Sequence, residues 1–393
     1  MKGIEEIYRS RKLILKTAKT IAAVHKALVE RRGIKEVKIM GFCGTHEWTI
    51  THYGLRSLMP PGVELVAGPG CPVCITPGYY VEAAVKLAME GVTVYTYGDA
   101  YRLPTGRPRG GGGLPRSLAE ARSQGGSVEV VYSVLDAVRR ARERGGEAVF
   151  FAVGFETTAP STASVILRGR VPENMSFIVV HRLTPPIMRY VFRIHGERSP
   201  IRGVIAPGHV STIIGAAAWR FVAEEYGIPV VVAGFEPLDV MLAVLEILRM
   251  LLDGRPRLVN EYTRAVTWEG NPEAQKMMRE CFDVVDAAWR GIGFVPRSGL
   301  ALKEKYSRYD ALKRYGIPDL TPERFRYDLP PGCRCAEVTL GIAKPTDCPL
   351  FMKACTPSNP YGPCMVGSEG TCLIWAKYGR HIEELLKAEA DGF

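Results

Sequence analysis

Cysteine is the residue type in this chain whose spacing points most directly to chemistry. Six of the ten cysteines lie in one stretch rich in proline, glycine and short polar linkers, and they are Cys333, Cys335, Cys348, Cys355, Cys364 and Cys372. Irregular backbone has few hydrogen-bond ladders, so an inorganic centre or disulfides are expected to order the stretch. One cluster or one zinc ion needs four thiolates. The two remaining thiols could exchange electrons with a cluster as a dithiol and disulfide pair.

Three kinds of centre could order such a segment. A zinc ribbon usually has two close CxxC knuckles and this segment contains none, although zinc stays open as an alternative. A framework made only of disulfides is typical of small secreted domains, whereas this chain has 393 residues. The favoured interpretation is therefore an iron-sulfur cluster.

Two further thiol motifs follow apolar runs that are typical of β-strands. The sequence CGTH begins at Cys43 and puts a thiol and an imidazole on a turn, where backbone amides are expected to lower the thiol pKa. It predicts a metal ligand or nucleophile, with a small core residue as the alternative. Cys71 and Cys74 form a CxxC motif in an α/β context, which favours a redox dithiol, with a zinc half-site as the alternative.

One further histidine is a candidate for the functional site, whereas three other histidines and the remaining cysteine are expected to be solvated, packed or structural. His209 follows Pro-Gly at the end of an apolar run, so we expect it in the functional site. His25, His195 and His381 lie in helical or basic surroundings that are typical of solvated or packed side chains. Cys281 stands alone in a helical stretch and is expected to be structural.

The elements that must hold these residues are eight apolar, β-branched runs separated by helical stretches. In chain order the runs are VKIMGF, VELVAGPG, VTVYTYG, VEVVYS, AVFFAVGF, SFIVVHRL, GVIAPG and PVVVAGFE. This alternation predicts parallel sheet covered on both faces, with ligands where strand ends meet helix starts. The predicted fold class is α/β, with two similar parallel-sheet domains and a helical, cysteine-rich iron-sulfur domain.

A weak internal repeat suggests how the strands are divided. The sequence GFCGT resembles GFETT, and PGC resembles PGH, each after an apolar run. The repeat makes Glu156 the counterpart of Cys43 and makes His209 the counterpart of Cys71. Chance similarity of glycine-rich turns is the alternative. If the repeat is real, the strand-end loops of the two domains face one cleft.

Domain boundaries follow from the repeat and from the helical patterns around it. The predicted domains are an α/β domain at 33–135 with the thiol motifs, an α/β domain at 136–260 with Glu156 and His209, and an iron-sulfur domain at 261–393 that includes the N-terminal helix of 1–32. Apolar residues recur at helical spacing over 4–31, and Gly33 ends that helix. We also expect helix from 261 to 289 and a final helix near 374–387.

Length and composition limit the number of domains, the location and the kinds of partner that we expect. With 393 residues, 47% of them hydrophobic, the chain can bury large cores in two or three domains. No targeting segment or bilayer-spanning apolar run is evident, so we expect a cytoplasmic protein without a membrane anchor. The net charge of +10 favours acidic partners, but lysine and arginine are too dispersed to predict nucleic-acid binding. Scarce glutamine and asparagine fit a thermophilic source.

Several short blocks, taken together and in order, resemble the HypD family of hydrogenase maturation factors. They are CGTH, GPGCPVC, YGDAYRLP, GFETTAP, PGHVSTIIG, CRC, DCPLFMKAC and SEGTC. The resemblance covers almost the whole chain. One departure is an arginine- and glycine-rich insert after Arg102, whose glycine run at 110–113 lacks the Lys-Ser/Thr of a phosphate loop and predicts a flexible loop.

The resemblance implies a scaffold for the iron centre of nickel-iron hydrogenases. In that family HypD joins the small protein HypC, and their complex holds an iron that acquires two cyanides and one carbon monoxide. HypE delivers cyanide made from carbamoyl phosphate. By this resemblance Cys43 is an iron ligand, together with the N-terminal cysteine of HypC. His46 and His209 line the site, and Glu369 reaches it from the cluster domain.

A second similarity implies roles for the six clustered cysteines. Their order is similar to that in ferredoxin-thioredoxin reductase, where cluster ligands alternate with a redox-active pair. It implies a 4Fe-4S cluster on Cys333, Cys348, Cys355 and Cys372 and a disulfide between Cys335 and Cys364. The cluster, the disulfide pair and the CxxC motif would then form a redox relay that passes electrons stepwise towards Cys43. The alternative function is an iron-sulfur disulfide reductase of this type, which would not require Cys43.

Overall fold

The computed structural model of the protein describes residues 3–106, 113–196, 200–325 and 328–379. The strands in these ranges are β1 (Val37–Gly41), β2 (Val63–Ala67), β3 (Thr93–Thr96), β4 (Val128–Val130), β5 (Ala148–Gly154), β6 (Met175–His181), β7 (Ile201–Pro207), β8 (Val230–Ala233), β9 (Leu258–Asn260), β10 (Phe282–Trp289) and β11 (Gly293–Leu302).

Helices surround these strands. They are α1 (Ile4–Tyr8), α2 (Arg11–Arg32), α3 (Gly44–His52), α4 (Gly78–Met89), α5 (Gly98–Tyr101), α6 (Leu118–Ser123), α7 (Val134–Arg144), α8 (Ala159–Leu167), α9 (Thr184–His195), α10 (Gly208–Ile214), α11 (Arg220–Tyr226), α12 (Pro237–Asp253), α13 (Pro272–Cys281), α14 (Ala311–Arg314), α15 (Cys335–Thr339) and α16 (Thr371–Ile374). Within the described ranges, no helix is both long and apolar enough to span a membrane.

Two parallel sheets form the centre of the fold. One has five strands in the order β2-β1-β7-β8-β9, and the other has four in the order β4-β3-β5-β6. All seven residues of β5 are buried, because helices cover both faces of its sheet. The predicted α/β class and all eight predicted strands are confirmed. The short strand β9 was not predicted, since three residues carry too little pattern.

The sheets divide the chain differently from the predicted boundary at residue 135. Strands β1 and β2 pair in one sheet with β7, β8 and β9, whereas β3 and β4 pair in the other with β5 and β6. Each sheet therefore takes strands from both predicted α/β domains. The repeat indicated similar strand-end loops, but it carries no information about which strands pair. Cys43 and His209 consequently follow neighbouring strands, β1 and β7, of one sheet.

The stretch predicted as helix over 261–289 contains helix only in α13. It then continues as β10, which pairs antiparallel with β11. Helical prediction failed because the sequence FDVVDAAW is apolar without a decisive period, and its pairing partner lies later in the chain. The hairpin packs beside the four-stranded sheet: Leu183 donates its backbone N–H to the carbonyl of Ser298 at 2.8 Å.

The N-terminal helix is broken into α1 and α2 around Arg9 and Ser10. Gly33 ends α2 as predicted, with a left-handed φ of 70°. The apolar face of α2 packs with α12 and the five-stranded sheet in one core that includes Ile21, Leu28 and Leu248. This helix was predicted to join the cysteine-rich region. Its apolar residues lie instead in the core of the five-stranded sheet.

The cysteine segment has only short helices, α15 and α16, and isolated turns, as its composition predicts. It packs against the four-stranded sheet in a core that contains both Cys71 and Cys74. The expected final helix begins as a π-helical turn at Trp375–Gly379, and its remainder lies outside the described residues, as does His381. Residues 110–112 of the glycine run also lie outside the described ranges.

Candidate metal and thiol site

Cys43 and His209 meet at the carboxyl edge of the five-stranded sheet. Cys43 is 2% exposed and precedes the first residue of α3, while His209 lies in the first turn of α10. Because β1 and β7 are neighbours, the loops that follow them converge, and Cys43 Sγ lies 3.5 Å from His209 Nδ1. A predicted thiol and a predicted imidazole are thus brought together.

Glu369 completes a group of three possible metal ligands. One ligand atom from each of Cys43, His209 and Glu369 lies within 4.8 Å of the other two. The Thr45 hydroxyl donates a hydrogen bond to Glu369 Oε1 at 2.9 Å and holds the carboxylate in place. Thiolate, imidazole and carboxylate are together a donor set suited to a transition metal such as iron.

Burial governs the charges of this group. It raises the pKa of the Cys43 thiol to about 12, and the nearby Glu369 carboxylate adds to the rise. Backbone amides of the turn do favour the thiolate, as expected from the sequence, but burial outweighs them, so the predicted lowering of the Cys43 pKa was wrong. Burial also lowers the pKa of His209. Without a metal, the group therefore favours a neutral thiol beside a neutral imidazole.

His46 is fully buried one turn after Cys43. Its Nε2 lies 2.9 Å from the carbonyl oxygen of Gly234 and 3.2 Å from that of Ala233, so Nε2 carries the ring proton and donates it. Its Nδ1 has no hydrogen-bond partner among the described residues. Burial lowers the pKa of His46 to about 4. The ring packs on Phe235 at a centroid distance of 5.0 Å.

Glu156 follows β5 of the four-stranded sheet and lies in the same cleft as Cys43 and His209. Its carboxylate accepts hydrogen bonds from the backbone N–H of Thr184 at 2.7 Å and from the Thr184 hydroxyl at 2.8 Å. Burial raises the pKa of Glu156 to about 7, although these hydrogen bonds oppose the rise, as would a positive charge on His209. Glu156 thus interacts electrostatically with His209 but is not part of the three-residue group.

Two glycines allow the backbone to approach this closely. A Cβ on Gly44 would lie 2.4 Å from the Cβ and carbonyl oxygen of Glu369. A Cβ on Gly70 would lie 2.5 Å from the Cα and amide nitrogen of Cys43. Only glycine fits either position without moving the ligand group.

The CxxC motif faces the cysteine segment rather than Cys43. Cys71 and Cys74 are both buried, and the backbone N–H of Cys74 donates to Cys71 Sγ at 3.3 Å. The Cys74 thiol also lies within hydrogen-bonding reach of Cys364, and burial holds its pKa well above the usual range. Two thiols that are far apart in the sequence, Cys74 and Cys364, therefore lie close together in the same core.

Cys364 lies at the centre of the clustered thiols. It is completely buried and lies within hydrogen-bonding reach of Cys335, Cys372 and Cys74. Cys333 likewise lies beside Cys335. All ten cysteines of the chain are free thiols in the structure. The two members of the predicted redox pair, Cys335 and Cys364, are thus adjacent.

The backbone around the cysteine segment leaves room for a centre that binds sulfur. The N–H of Tyr361 points to Cys355 Sγ at 3.4 Å. A Cβ on Gly362 would lie 2.7 Å from Cys333 Sγ and 2.8 Å from Cys335 Sγ. Cys348 Sγ lies 3.8 Å from the carbonyl oxygen of Gly332. Thiols, an amide donor and a position that excludes a side chain are all features that fit an iron-sulfur cluster.

Comparison with known proteins decides the family. A family model named HypD, described as the hydrogenase formation hypA family, matches residues 15–379. The chain belongs to the HypD family. It is 43% identical over 350 residues to a hydrogenase expression/formation protein of Methanocaldococcus jannaschii, covering 88% of this chain and 93% of the relative.

Two further relatives carry the HypD name. The hydrogenase maturation factor HypD2 of Bradyrhizobium diazoefficiens is 42% identical over 389 residues, covering 97% of each chain. The hydrogenase maturation factor HypD of Cupriavidus necator is 41% identical over 392 residues, covering 97% of this chain and 98% of the relative. The resemblance noted in the sequence is confirmed, and this HypD-family chain is a hydrogenase maturation factor.

Sequence reasoning missed several residues that hold the HypD-family site together. Thr184 satisfies Glu156, and Asp99 accepts a hydrogen bond from the Ser368 hydroxyl at 2.8 Å beside Glu369. Arg290, itself buried, donates to the carbonyl oxygens of Pro104 and Asp328. Asp99 lies in the YGDAYRLP block, so a signal existed for it. Arg290 lies in the misassigned hairpin, where no motif pointed to it.

Proposed function

We propose that this HypD-family protein, in complex with HypC, binds iron at Cys43 and supports assembly of the Fe(CN)2CO moiety of nickel-iron hydrogenases. The observation that supports the proposal most strongly is the convergence of Cys43, His209 and Glu369 within 4.8 Å. In this proposal the iron is cargo, HypC contributes its N-terminal cysteine as a second thiolate, and HypE docks transiently to deliver cyanide.

The chemistry of the site suits an iron that binds cyanide and carbon monoxide. A thiolate is a soft ligand for low-valent iron, and cyanide and carbon monoxide require an electron-rich metal. Iron binding must displace the Cys43 proton, because burial keeps the free thiol protonated. His209 Nδ1, at 3.5 Å from the sulfur, is the nearest base for that proton. Burial of Cys43 and His46 also keeps bulk water from the iron ligands.

The same proposal gives the cysteine segment a resident cofactor. Cys333, Cys348, Cys355 and Cys372 would hold a 4Fe-4S cluster. When bound, the cluster supplies one-electron transfer to neighbouring thiols. The donors around Tyr361 and Gly362 described above are compatible with that assignment. In this proposal the protein is cytoplasmic, and its ten cysteines serve metal and redox chemistry in that reducing compartment.

Thiol–disulfide exchange connects the two regions in this proposal. When Cys335 and Cys364 form a disulfide, the Cys74 thiolate attacks Cys364, forms a Cys74–Cys364 bond and releases Cys335 as a thiolate. Cys71 then attacks Cys74 and releases Cys364, so that two electrons pass from the CxxC motif to the other pair. The same exchange in reverse, from reduced Cys335 and Cys364 to an oxidised CxxC motif, carries two electrons towards Cys43. The proximity of Cys74 to Cys364 supports this route.

The alternative function is an iron-sulfur disulfide reductase of the ferredoxin-thioredoxin reductase type. Its support is the same Cys74–Cys364 proximity, together with the similarity in cysteine order. A reductase would turn over a dithiol or disulfide substrate without Cys43. The convergent ligand group at Cys43 favours the scaffold, because a reductase has no use for it.

Infrared spectroscopy and iron counting distinguish these functions. The protein is purified with HypC without oxygen, as wild type, as Cys43→Ala and as the control Cys281→Ala, which removes another buried thiol far from the site. The scaffold predicts cyanide and carbonyl stretching bands in wild type and control, lost in Cys43→Ala with about four cluster irons retained. A brown protein without such bands and with unchanged iron in Cys43→Ala would favour the reductase.

A further inference from the structure

A buried carboxylate on α3 contacts the end of the cysteine segment. Glu47 is 3% exposed and lies one helical turn after Cys43, whose carbonyl oxygen accepts the backbone N–H of Glu47 at 3.2 Å. Glu47 Oε1 accepts the indole N–H of Trp375 at 2.6 Å, and Trp375 directly follows α16. A short, charge-assisted hydrogen bond thus joins the helix that begins beside Cys43 to a residue 328 positions later in the chain.

Arg56 fixes the Glu47 carboxylate from the side of the five-stranded sheet. Its Nη2 donates to both carboxylate oxygens, at 2.7 and 2.9 Å, and its Nε donates to the carbonyl oxygen of Leu65 in β2 at 3.3 Å. The Thr51 hydroxyl donates to Glu47 Oε1 at 3.0 Å. The Arg56 guanidinium also lies over the Trp375 ring, 5.0 Å from its centroid. Because the sheet and α3 hold Glu47 in place, its bond restrains Trp375.

Two hydrogen bonds attach α16 to α3, one at each end of the short helix. The Thr45 hydroxyl donates to Glu369 just before α16. Trp375 donates to Glu47 just after it. The helix between these two bonds has only four residues, of which Cys372 is one, so movement at its end is transmitted to its start. Loss of the bond at Trp375 therefore also loosens Glu369.

We propose that Glu47 is a positioning residue that holds α16 against α3 through Trp375. The restraint keeps Glu369 beside Cys43 in the ligand group. It also covers the thiol, because the segment packs so closely on the start of α3 that a Cβ on Gly44 would lie 2.4 Å from the Glu369 carbonyl oxygen. The part that Glu47 plays in iron assembly rests on the proposed function, whereas the restraint itself does not.

Thiol modification tests the restraint without iron. The full chain, purified without HypC and without oxygen, is treated with iodoacetamide for increasing times, and peptide mass spectrometry follows each cysteine. Trp375→Phe keeps an aromatic ring but loses the N–H donor. We expect it to raise the modification rate of Cys43 at least about tenfold, because loss of a hydrogen bond to a charged group favours local opening by that factor. Cys281, buried in another core, reports global unfolding and should keep its wild-type rate.

Three further variants separate the hydrogen bond from packing. Glu47→Gln keeps an oxygen that accepts the Trp375 N–H, so it should raise the Cys43 rate less than Glu47→Leu, which has no acceptor. Trp268→Phe is the matched control, because Trp268 is a partly exposed tryptophan that lies beside Arg220, and it should leave the rate unchanged. Equal acceleration of Cys43 and Cys281 in Trp375→Phe would mean general destabilisation. That result, or an unchanged Cys43 rate, would overturn the proposal.

A second measurement is made on the folded wild type. The chain has five tryptophans, and proton–nitrogen correlation spectra follow hydrogen exchange at each indole N–H. The Trp375 signal is the one missing in Trp375→Phe. We expect its indole N–H to exchange more slowly than that of Trp268, because a bond to Glu47 must open before exchange occurs. Equally fast exchange at the two indoles would contradict the restraint.

Iron retention in the complex with HypC separates this proposal from the proposed function. Loss of an outer hydrogen bond typically weakens metal binding by about 10-fold or more, so we expect Trp375→Phe to bind iron about tenfold more weakly and Glu47→Gln to be affected less. A wild type without infrared bands but with the expected thiol modification would refute only the scaffold. Normal bands with an unchanged Cys43 rate in Trp375→Phe would refute only the positioning role.

Discussion

Thr45 and Glu369 are 324 residues apart in the sequence, yet the Thr45 hydroxyl donates a hydrogen bond to Glu369 Oε1 at 2.9 Å. This bond ties the first turn of α3, directly after Cys43, to the cysteine segment. It directs the only acidic member of the ligand group described here towards Cys43 and His209. The site is therefore completed by a contact between distant parts of the chain.

Removing that bond should weaken iron binding. A hydrogen bond to a charged group contributes about 1.5–3 kcal/mol, so Thr45→Val is expected to lower iron affinity by about tenfold or more. Thr45→Ser keeps the hydroxyl and should retain near wild-type affinity. Competition with an iron chelator, in the complex with HypC, measures the difference. Equal affinities in the two variants would show that Thr45 does not hold Glu369.

A methyl group at Gly70 should disturb the site through the backbone. Its Cβ would lie 2.5 Å from the Cα and N of Cys43, and neither atom can rotate away. We expect Gly70→Ala to lower the free energy of unfolding by about 1–3 kcal/mol, typical of overpacking, and to abolish iron retention. Gly98→Ala is the matched control, because its nearest neighbour would be 3.8 Å away. Denaturant unfolding that gives the same stability for both variants contradicts this expectation.

Glu156 should make the protein less stable as pH rises. Burial raises its pKa from 4.5 to about 7 in the folded state. Folding therefore favours the protonated form, so this contribution is fully present below about pH 4.5 and is lost as pH rises through about 7. His46, with its pKa lowered from 6.5 to about 4, acts in the opposite direction.

Comparison with Glu156→Gln isolates the effect of Glu156. We expect the unfolding free energy of wild type minus variant to fall by on the order of 3 kcal/mol between these pH values. Urea unfolding at a series of pH values provides the measurement. Parallel curves for wild type and variant would mean that the pKa of Glu156 is the same in the folded and the unfolded protein.

Thiol–disulfide exchange between the two thiol pairs should be trappable. Without Cys71, only return attack by Cys335 can break the Cys74–Cys364 bond, so oxidised Cys71→Ser is expected to accumulate it. Alkylation followed by peptide mass spectrometry detects the linked peptides. Cys281→Ser, with its lone buried thiol removed, should not accumulate the bond. Absence of the linkage in oxidised Cys71→Ser would argue against direct exchange.

Gly362→Ala should impair the iron-sulfur cluster. The added Cβ would lie 2.7 Å from Cys333 Sγ and 2.8 Å from Cys335 Sγ, so it occupies space next to the sulfurs. We expect loss of about four irons per chain and of the brown colour after anaerobic reconstitution. Gly379→Ala, where the nearest neighbour would be 3.6 Å away, is the control. Full cluster content in Gly362→Ala would place the cluster away from these two cysteines.

The sequence alone determined much of the local structure. Apolar β-branched runs specified all eight predicted strands, because burial on both sheet faces requires such residues. The residues that follow those runs could be predicted as site candidates, since carboxyl ends of parallel strands collect ligand loops. Cys43 and His209 were found in this way. The motif blocks also carried the family assignment.

Only the tertiary structure decided which of these elements meet. Apolar patterning records that a strand is buried, but not its neighbour, so the pairing of β1 with β7 and the proximity of Cys43 to His209 could not be read from it. The β10–β11 hairpin was missed for the same reason. The high pKa of Cys43 also depends on how deeply the fold buries its thiol, which no turn motif specifies.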